Sequence, residues 1–149
     1  MQSLRARWYP LVLVALGLAA YANSLQGGHF ILDDESSIQG NFEIHQILPL
    51  WRKAELSSSP AVTNRPVVRL SLALNYAWGQ YEFVGYRLVN VCIHLLCGLA
   101  LYGVGRRALL SPAFAGRYDG IARELALAIA LIWLVHPLNT QCVNHTIQR

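Results

Sequence analysis

Charged side chains are scarce in this chain. Asp, Glu, Lys and Arg make up 13% of its 149 residues, while apolar residues reach 54%. That is about half the charge usual in a soluble domain, and it argues against the single soluble domain that the length alone would suggest. Basic clusters with interleaved aromatics are missing, and the net charge is only +4, so no nucleic-acid partner is expected. Cysteine is sparse and odd in number. Cys92 and Cys97 sit in an apolar run, where a thiol acts as a small hydrophobe, and Cys142 stands alone. Neither a disulfide framework nor metal-type Cys spacing follows. Soluble-enzyme signatures are also lacking: there is no phosphate-binding glycine loop with its Lys, no nucleophile elbow and no zinc helix. Gly103-x-Gly105, at the end of an apolar run, is too weak a signal to use.

What the chain does have is long apolar runs. The first covers about 9–25, with no charge from Leu11 to Ala22 and with Arg5 and Arg7 before it. It reads as a membrane span. Ala20-Tyr21-Ala22 also fits a signal-peptide cleavage pattern; with further apolar runs downstream, the chain is a membrane protein on either reading. The second span, about 84–104, is closed by Arg106 and Arg107. Arg87, Asn90, His94 and Leu101 lie roughly along one of its faces, and polar groups within a span face protein or a water-filled cavity. Asn90 and His94, four residues apart, are neighbours suited to interhelical hydrogen bonds. The third run, about 121–138, begins beside Arg123 and Glu124 and is short for a span up to Val135. It continues through His136-Pro137-Leu138 or lies within a bundle.

Between the first two spans lies an outer loop, 26–83; from Ser24 to about Pro66 the chain is polar and loop-like, punctuated by Ser57-Ser58-Ser59-Pro60. Ile44, Ile47, Leu48 and Trp51 have one-face helical spacing, interrupted by Pro49, and suggest a short interfacial helix. Val67 to Trp78 is apolar but too short to cross a hydrocarbon core. It reads as a re-entrant or interfacial helix, with Pro66 suited to its first turn. Asn144-His145-Thr146 matches a glycosylation sequon, a pattern common by chance. The fold class is therefore all-α and membrane-embedded: three transmembrane helices with short interfacial or re-entrant helices in the first outer loop.

Charge asymmetry sets the orientation. Arg5, Arg7, Arg106, Arg107, Arg117 and Arg123 flank the spans on one side, whereas the loop after the first span holds more acids than bases. By the positive-inside rule the amino terminus is cytoplasmic, and the 26–83 loop and the segment from His136 to Arg149 lie outside. One outer face then collects Asp33, Asp34 and Glu35, Arg65 and Arg69, and His136 and Arg149. Carboxylates can act as a general base or hold a divalent cation, and arginines with a cation can hold a phosphate. The set suits group transfer from a lipid phosphate. The plainer alternative is an acidic turn that is only solvated.

Four segments carry a resemblance. Tyr21-Ala22-Asn23-Ser24-Leu25-Gln26-Gly27, followed by Phe30-Ile31-Leu32-Asp33-Asp34, resembles the first outer loop of GT-C membrane glycosyltransferases. Asn64-Arg65-Pro66-Val67-Val68 with Leu70-Ser71-Leu72 resembles their Arg-Pro segment. Gly85-Tyr86-Arg87-Leu88-Val89-Asn90-Val91 with His94 resembles the second span. His136-Pro137-Leu138-Asn139-Thr140, through Gln148-Arg149, resembles a His-Pro outer loop. The branch they resemble is the protein O-mannosyltransferase-like family, in which transmembrane helices precede tetratricopeptide repeats. His29 and Gln141 depart from the pattern, and Gln141 weakens any carboxylate contribution from that last loop.

The resemblance implies that residues 1–149 are the amino-terminal membrane region of a GT-C-like bundle, incomplete at its carboxyl end and inactive alone. It implies an integral protein of an inner or plasma membrane, or of the endoplasmic reticulum in a eukaryote. The implied reaction is inverting transfer of a sugar from a polyprenyl-phosphate donor to a hydroxyl of a protein or glycan outside the cytoplasm. Asp33 and Asp34 are the expected catalytic pair and the expected ligands of any Mn or Mg ion. Arg65, Arg149 and His136 are expected to hold the donor phosphate. Besides the lipid-linked donor and the acceptor, membrane lipids are the expected partners. The alternative is a non-catalytic membrane anchor or scaffold for a repeat domain.

The topology is testable by impermeant thiol labelling in intact cells. A cysteine placed at position 58 should label and one at position 117 should not; the opposite pattern would reverse the orientation and dissolve the shared face.

Overall fold

The computed structural model describes residues 8–26, 28, 30, 34–45 and 65–148. Among them every regular element is helical. The α-helices are α1 (Tyr9–Tyr21), α2 (Pro66–Gly79), α3 (Phe83–Leu109), α4 (Ala122–Leu134) and α5 (Thr140–Asn144). Single 3₁₀ turns at Ala22–Leu25, Phe42–His45, Pro112–Phe114 and Pro137–Asn139, and a π-helical turn at Glu35–Gln39, fill the joints. Contacts divide the chain into two compact units. One holds the described residues up to Asn23 with Val91–Thr140; the other holds Ser24–Asn90 with the described residues from Gln141.

In the first unit, α1 opens with Pro10 in its first turn, where a missing N–H costs nothing. Its path is set by small residues. A Cβ on Gly17 would lie 2.4 Å from a Leu95 methyl and 2.8 Å from one of Leu134, and a Cβ on Gly98 would lie 3.0 Å from Leu134 and 3.3 Å from Leu13. Ala122, Ala126, Ala130 and Leu134 recur every four residues along α4 and are all buried. Small residues at this spacing let helix backbones approach closely, the packing mode of helices in lipid. Tyr9 Oη donates to Glu124 Oε1 at 2.9 Å. At the other end, Tyr21 Oη donates to the Leu134 carbonyl at 2.8 Å, and His94 Nε2 lies 2.9 Å from the same oxygen. A carbonyl only accepts, so His94 carries its proton on Nε2. Both groups satisfy a carbonyl that the end of α4 leaves without an intrahelical donor. Several large apolar side chains are left outside this packing: Leu11, Leu16, Leu96, Val104 and Ile132 are exposed.

Among the described residues helix α3 alone is long and apolar enough to cross a membrane; α4 with the helical turns after it makes a second candidate if counted as one broken span. Helix α1, even with its 3₁₀ extension to Leu25, is shorter. Two expected boundaries move. The second run is helical five residues past Val104, to Leu109, because Gly105, Arg106, Arg107 and Ala108 include no strong helix stop before Pro112. The third run is not continuous to Leu138: α4 ends at Leu134, and Pro137 starts a separate turn, since proline cannot continue the ladder.

The second unit has a hydrophobic core built from Phe30, Ile38, Ile44, Leu72, Tyr86 and Ile147. Ile44, expected on an interfacial helix, is instead fully buried here; Ile47, Leu48 and Trp51 lie outside the described residues. Helix α2 forms where expected. Arg65 is extended at φ −122°, as the residue before a proline tends to be, and Pro66 opens the first turn. Arg69, Leu72, Ala73 and Asn75 face inward, and Val67, Leu74 and Trp78 face outward. The helix stops at Gln80, which takes φ +53° although it is not glycine. Its N–H donates to the Tyr76 carbonyl at 2.7 Å, and its own carbonyl accepts Tyr86 Oη at 2.8 Å. These two bonds hold a backbone conformation that costs about 1–3 kcal/mol, and they fix the turn that carries Tyr81.

Close packing in the first unit predicts an asymmetry between two substitutions on α4. Ala126→Leu should lower stability by about 1–3 kcal/mol through overpacking, whereas Ile132→Leu, on the exposed face, should be near neutral. Thermal unfolding in detergent reads both; equal melting temperatures would refute the packing.

Candidate functional site

In the second unit a cluster of buried polar groups forms around one carboxylate, Asp34. Asp34 leads into the π-helical turn Glu35–Gln39 and is 1% exposed. Its Oδ2 accepts the Thr146 N–H at 2.9 Å and its Oδ1 accepts the Ile147 N–H at 3.0 Å. A buried carboxylate is costly unless both oxygens are hydrogen-bonded, and here two consecutive amides after α5 meet that need. Arg87, also buried, donates from Nη1 to Asn144 Oδ1 at 2.7 Å, lies 4.5 Å over the Phe83 ring and interacts electrostatically with Asp34. One turn further along α3, Asn90 Nδ2 donates to the carbonyls of Val143 at 3.4 Å and His145 at 3.2 Å. Asp34, Arg87 and Asn90 thus clamp residues 143–147. Three buried atoms of this cluster, Arg87 Nε, Asn90 Oδ1 and Thr146 Oγ1, have no hydrogen-bond partner among the described residues.

Beside the clamp is a pocket of about 350 Å³ lined by Gly28, Phe30, Glu35, Gln39, Tyr81 and Phe83. Its aromatic walls are braced. Phe30 stands edge-on to Phe83 at 5.5 Å and to Tyr86 at 5.6 Å. Tyr81 Oη lies 2.9 Å from His45 Nε2, and His45 stacks on Tyr76 at 4.1 Å. Partial desolvation, and then the neighbouring Tyr76 hydroxyl, push the Tyr81 phenol above its ordinary pKa.

The expected site residues fare differently. Asp34 is at the centre of the clamp. Arg65 is exposed at the start of α2, in the same unit, and makes no side-chain cap there. His136 lies in the first unit, exposed, where its Nδ1 accepts the Leu138 N–H at 3.3 Å and caps the Pro137–Asn139 turn. Asp33 and Arg149 lie outside the described residues. Among the described residues no three His, Cys, Asp or Glu side chains converge to hold a metal. The sequon is part of the clamp: Asn144 accepts from Arg87, and Thr146 is fully buried.

Sequence reasoning passed over Arg87, Asn144 and Thr146 as site residues, and also Tyr81 and His45. An arginine inside an apolar run was the available signal for the first. Nothing local marked the others, because their partners lie far along the chain.

This chain is similar over most of its length to proteins named protein O-mannosyl-transferase. One from Caenorhabditis elegans is 29% identical, over 89% of this chain and 19% of its own length. TMTC4 of Homo sapiens is 28% identical, over 95% of this chain and 20% of its own. Tmtc1 of Drosophila melanogaster is 30% identical, over 91% of this chain and 15% of its own. The resemblance read from the four segments is thus to named O-mannosyl-transferases, and this chain spans about a fifth of the length of the first two of these relatives. No family model and no solved structure matches it.

The clamp makes Asp34 a determinant of stability. Asp34→Ala should strand two buried N–H groups, at about 1–3 kcal/mol each, and Asp34→Asn should strand one. A melting temperature falling in the order wild type, Asn, Ala is the expected result; an unchanged Ala variant would remove the clamp.

Proposed function

We propose that this protein transfers a sugar, mannose by the relatives' names, from a polyprenyl-phosphate donor to a hydroxyl of a protein or glycan acceptor at the extracytoplasmic surface. The observation that carries this reading is the similarity of most of this chain to proteins named protein O-mannosyl-transferase. With both of its oxygens on main-chain amides, Asp34 serves in this reading as the anchor of the acidic turn, and Asp33 is assigned as the general base. In this reading three spans, α1, α3 and α4 with the turns after it, hold the turn at the membrane surface, with the amino terminus in the cytoplasm.

The leaving group is already an anionic phosphate, so it needs positive charge rather than a protonating acid. Arg65, Arg149 and His136 are the residues assigned to it. The Mn or Mg ion expected on Asp33 and Asp34 would add charge at the phosphate, but with both of its oxygens on main-chain amides Asp34 is not assigned to it. The acceptor hydroxyl loses its proton to Asp33 as it attacks the anomeric carbon. A single displacement of this kind inverts the anomeric configuration. Tetratricopeptide repeats beyond residue 149 belong to the same proposal.

A scaffold reading has one observation in its favour: the same two hydrogen bonds give the acidic turn a structural task. Sugar transfer by the full-length protein in membranes separates the two. A positioned carboxylate base contributes about 10²–10⁴-fold, so Asp33→Asn should lower turnover by that much with donor binding and melting temperature unchanged, since the base acts only in the transition state. Near wild-type turnover in Asp33→Asn would hand the acidic turn to the scaffold reading.

A further inference from the structure

We infer that the pocket walled by Glu35, Gln39, Tyr81 and Phe83 binds a hexopyranose ring. Its volume, about 350 Å³, falls at the small end of ligand sites. Among the described residues no lysine or arginine lines it, and one wall is a carboxyl group, a lining that favours a neutral ligand over an anion such as a phosphate. A pyranose offers two kinds of surface. Its C–H faces carry slight positive charge and suit the negative faces of aromatic rings; its equatorial hydroxyls each donate and accept. The pocket answers both. Phe30, Tyr81 and Phe83 supply rings, and Glu35 and Gln39 supply a carboxyl beside an amide. These two are four residues apart on a π-helical turn, which brings them to one wall. Such turns recur at functional sites. An ammonium ligand would use the rings and Glu35 but would have no use for the amide donors of Gln39.

The site is held open before any ligand arrives. Gly28 has φ +151°, and a Cβ there would lie 2.6 Å from the Phe83 ring, so only glycine lets the backbone lie against that wall. The hydrogen bond to His45 and the Tyr76–His45 stack hold Tyr81 in place, so little ordering is left for the ligand to drive. Glu35 is joined in sequence to Asp34, and the clamp that holds Asp34 therefore also positions this wall. The inference rests on the sugar-transfer reading only for the choice of mannose as the ring.

Ligand-observed NMR on the full-length protein in nanodiscs tests it, with methyl α-D-mannopyranoside as the probe and choline as the competing cation. The expected result is saturation transfer to the pyranoside with wild type, weakened about five- to tenfold in affinity by Gln39→Ala and by Tyr81→Ala. Gln39→Ala, at an exposed position, should keep its melting temperature, and Ile132→Leu should bind as wild type does. A signal equal in all variants, no signal with wild type, or displacement by choline would overturn the inference. Transfer assays on the same variants identify the source of the ring: a raised KM for the lipid-linked donor assigns it to the donor sugar, and a raised KM for a glycosylated acceptor assigns it to the acceptor. Binding without transfer would sink the transferase reading and keep the pocket; transfer with binding indifferent to these residues would do the reverse.

Discussion

The Asp34 carboxylate on the amides of Thr146 and Ile147 is the contact on which the second unit depends. It joins residues 112 and 113 positions apart. Loop-closure entropy grows only with the logarithm of length, so a distant tie costs little more than a near one, and it is worth more when desolvated. Once made, it fixes three features together. It sets the start of the π-helical turn, and so the Glu35–Gln39 wall. It brings Ile147 into the core with Phe30, Leu72 and Tyr86. It places the end of α5 against Arg87 and Asn90.

Asn90 and His94 of α3 share one task. Asn90 donates to carbonyls at the end of α5, and His94 to the last carbonyl of α4. The ends of helices leave carbonyls without intrahelical donors, and in an apolar medium each orphan costs several kcal/mol. Side chains four residues apart on one helix meet two such ends. This accounts for polar residues in an otherwise apolar run without giving each a catalytic role, and it is the interhelical glue that their spacing suggested.

Much of this was legible along the chain. The composition announced helices in an apolar setting, Pro66 announced the start of α2, and the four-residue interval of Asn90 and His94 announced a shared face. What was not legible was direction. Asp34 reads as an acid facing a site, because sequence shows its acidic neighbours and not the two amides it meets beyond α5. Ile44 reads as half of an amphipathic stripe, because its burial against Leu72 and Tyr86 is tertiary. The π-helical turn has no sequence signature in Glu35-Ser36-Ser37-Ile38-Gln39. Local pattern fixes period and boundaries; it does not say which polar group a distant backbone will claim.

Burial then sorts the polar residues by task. In a chain with so few charges, a buried carboxylate or guanidinium persists only where geometry answers it. Asp34, Arg87 and Asn90 are answered by main-chain or side-chain partners at 3.4 Å or less. Such groups are expensive to move, so they suit holding rather than proton transfer or ligand exchange. Glu35, Gln39 and Tyr81 are exposed on the pocket wall, where water solvates them when no ligand does. They cost little to leave open and can trade water for a ligand hydroxyl. The division runs through adjacent residues: Asp34 is committed inward, and Glu35, the next residue, remains available. A site assembled in this way derives its rigidity from one side of the turn and its chemistry from the other.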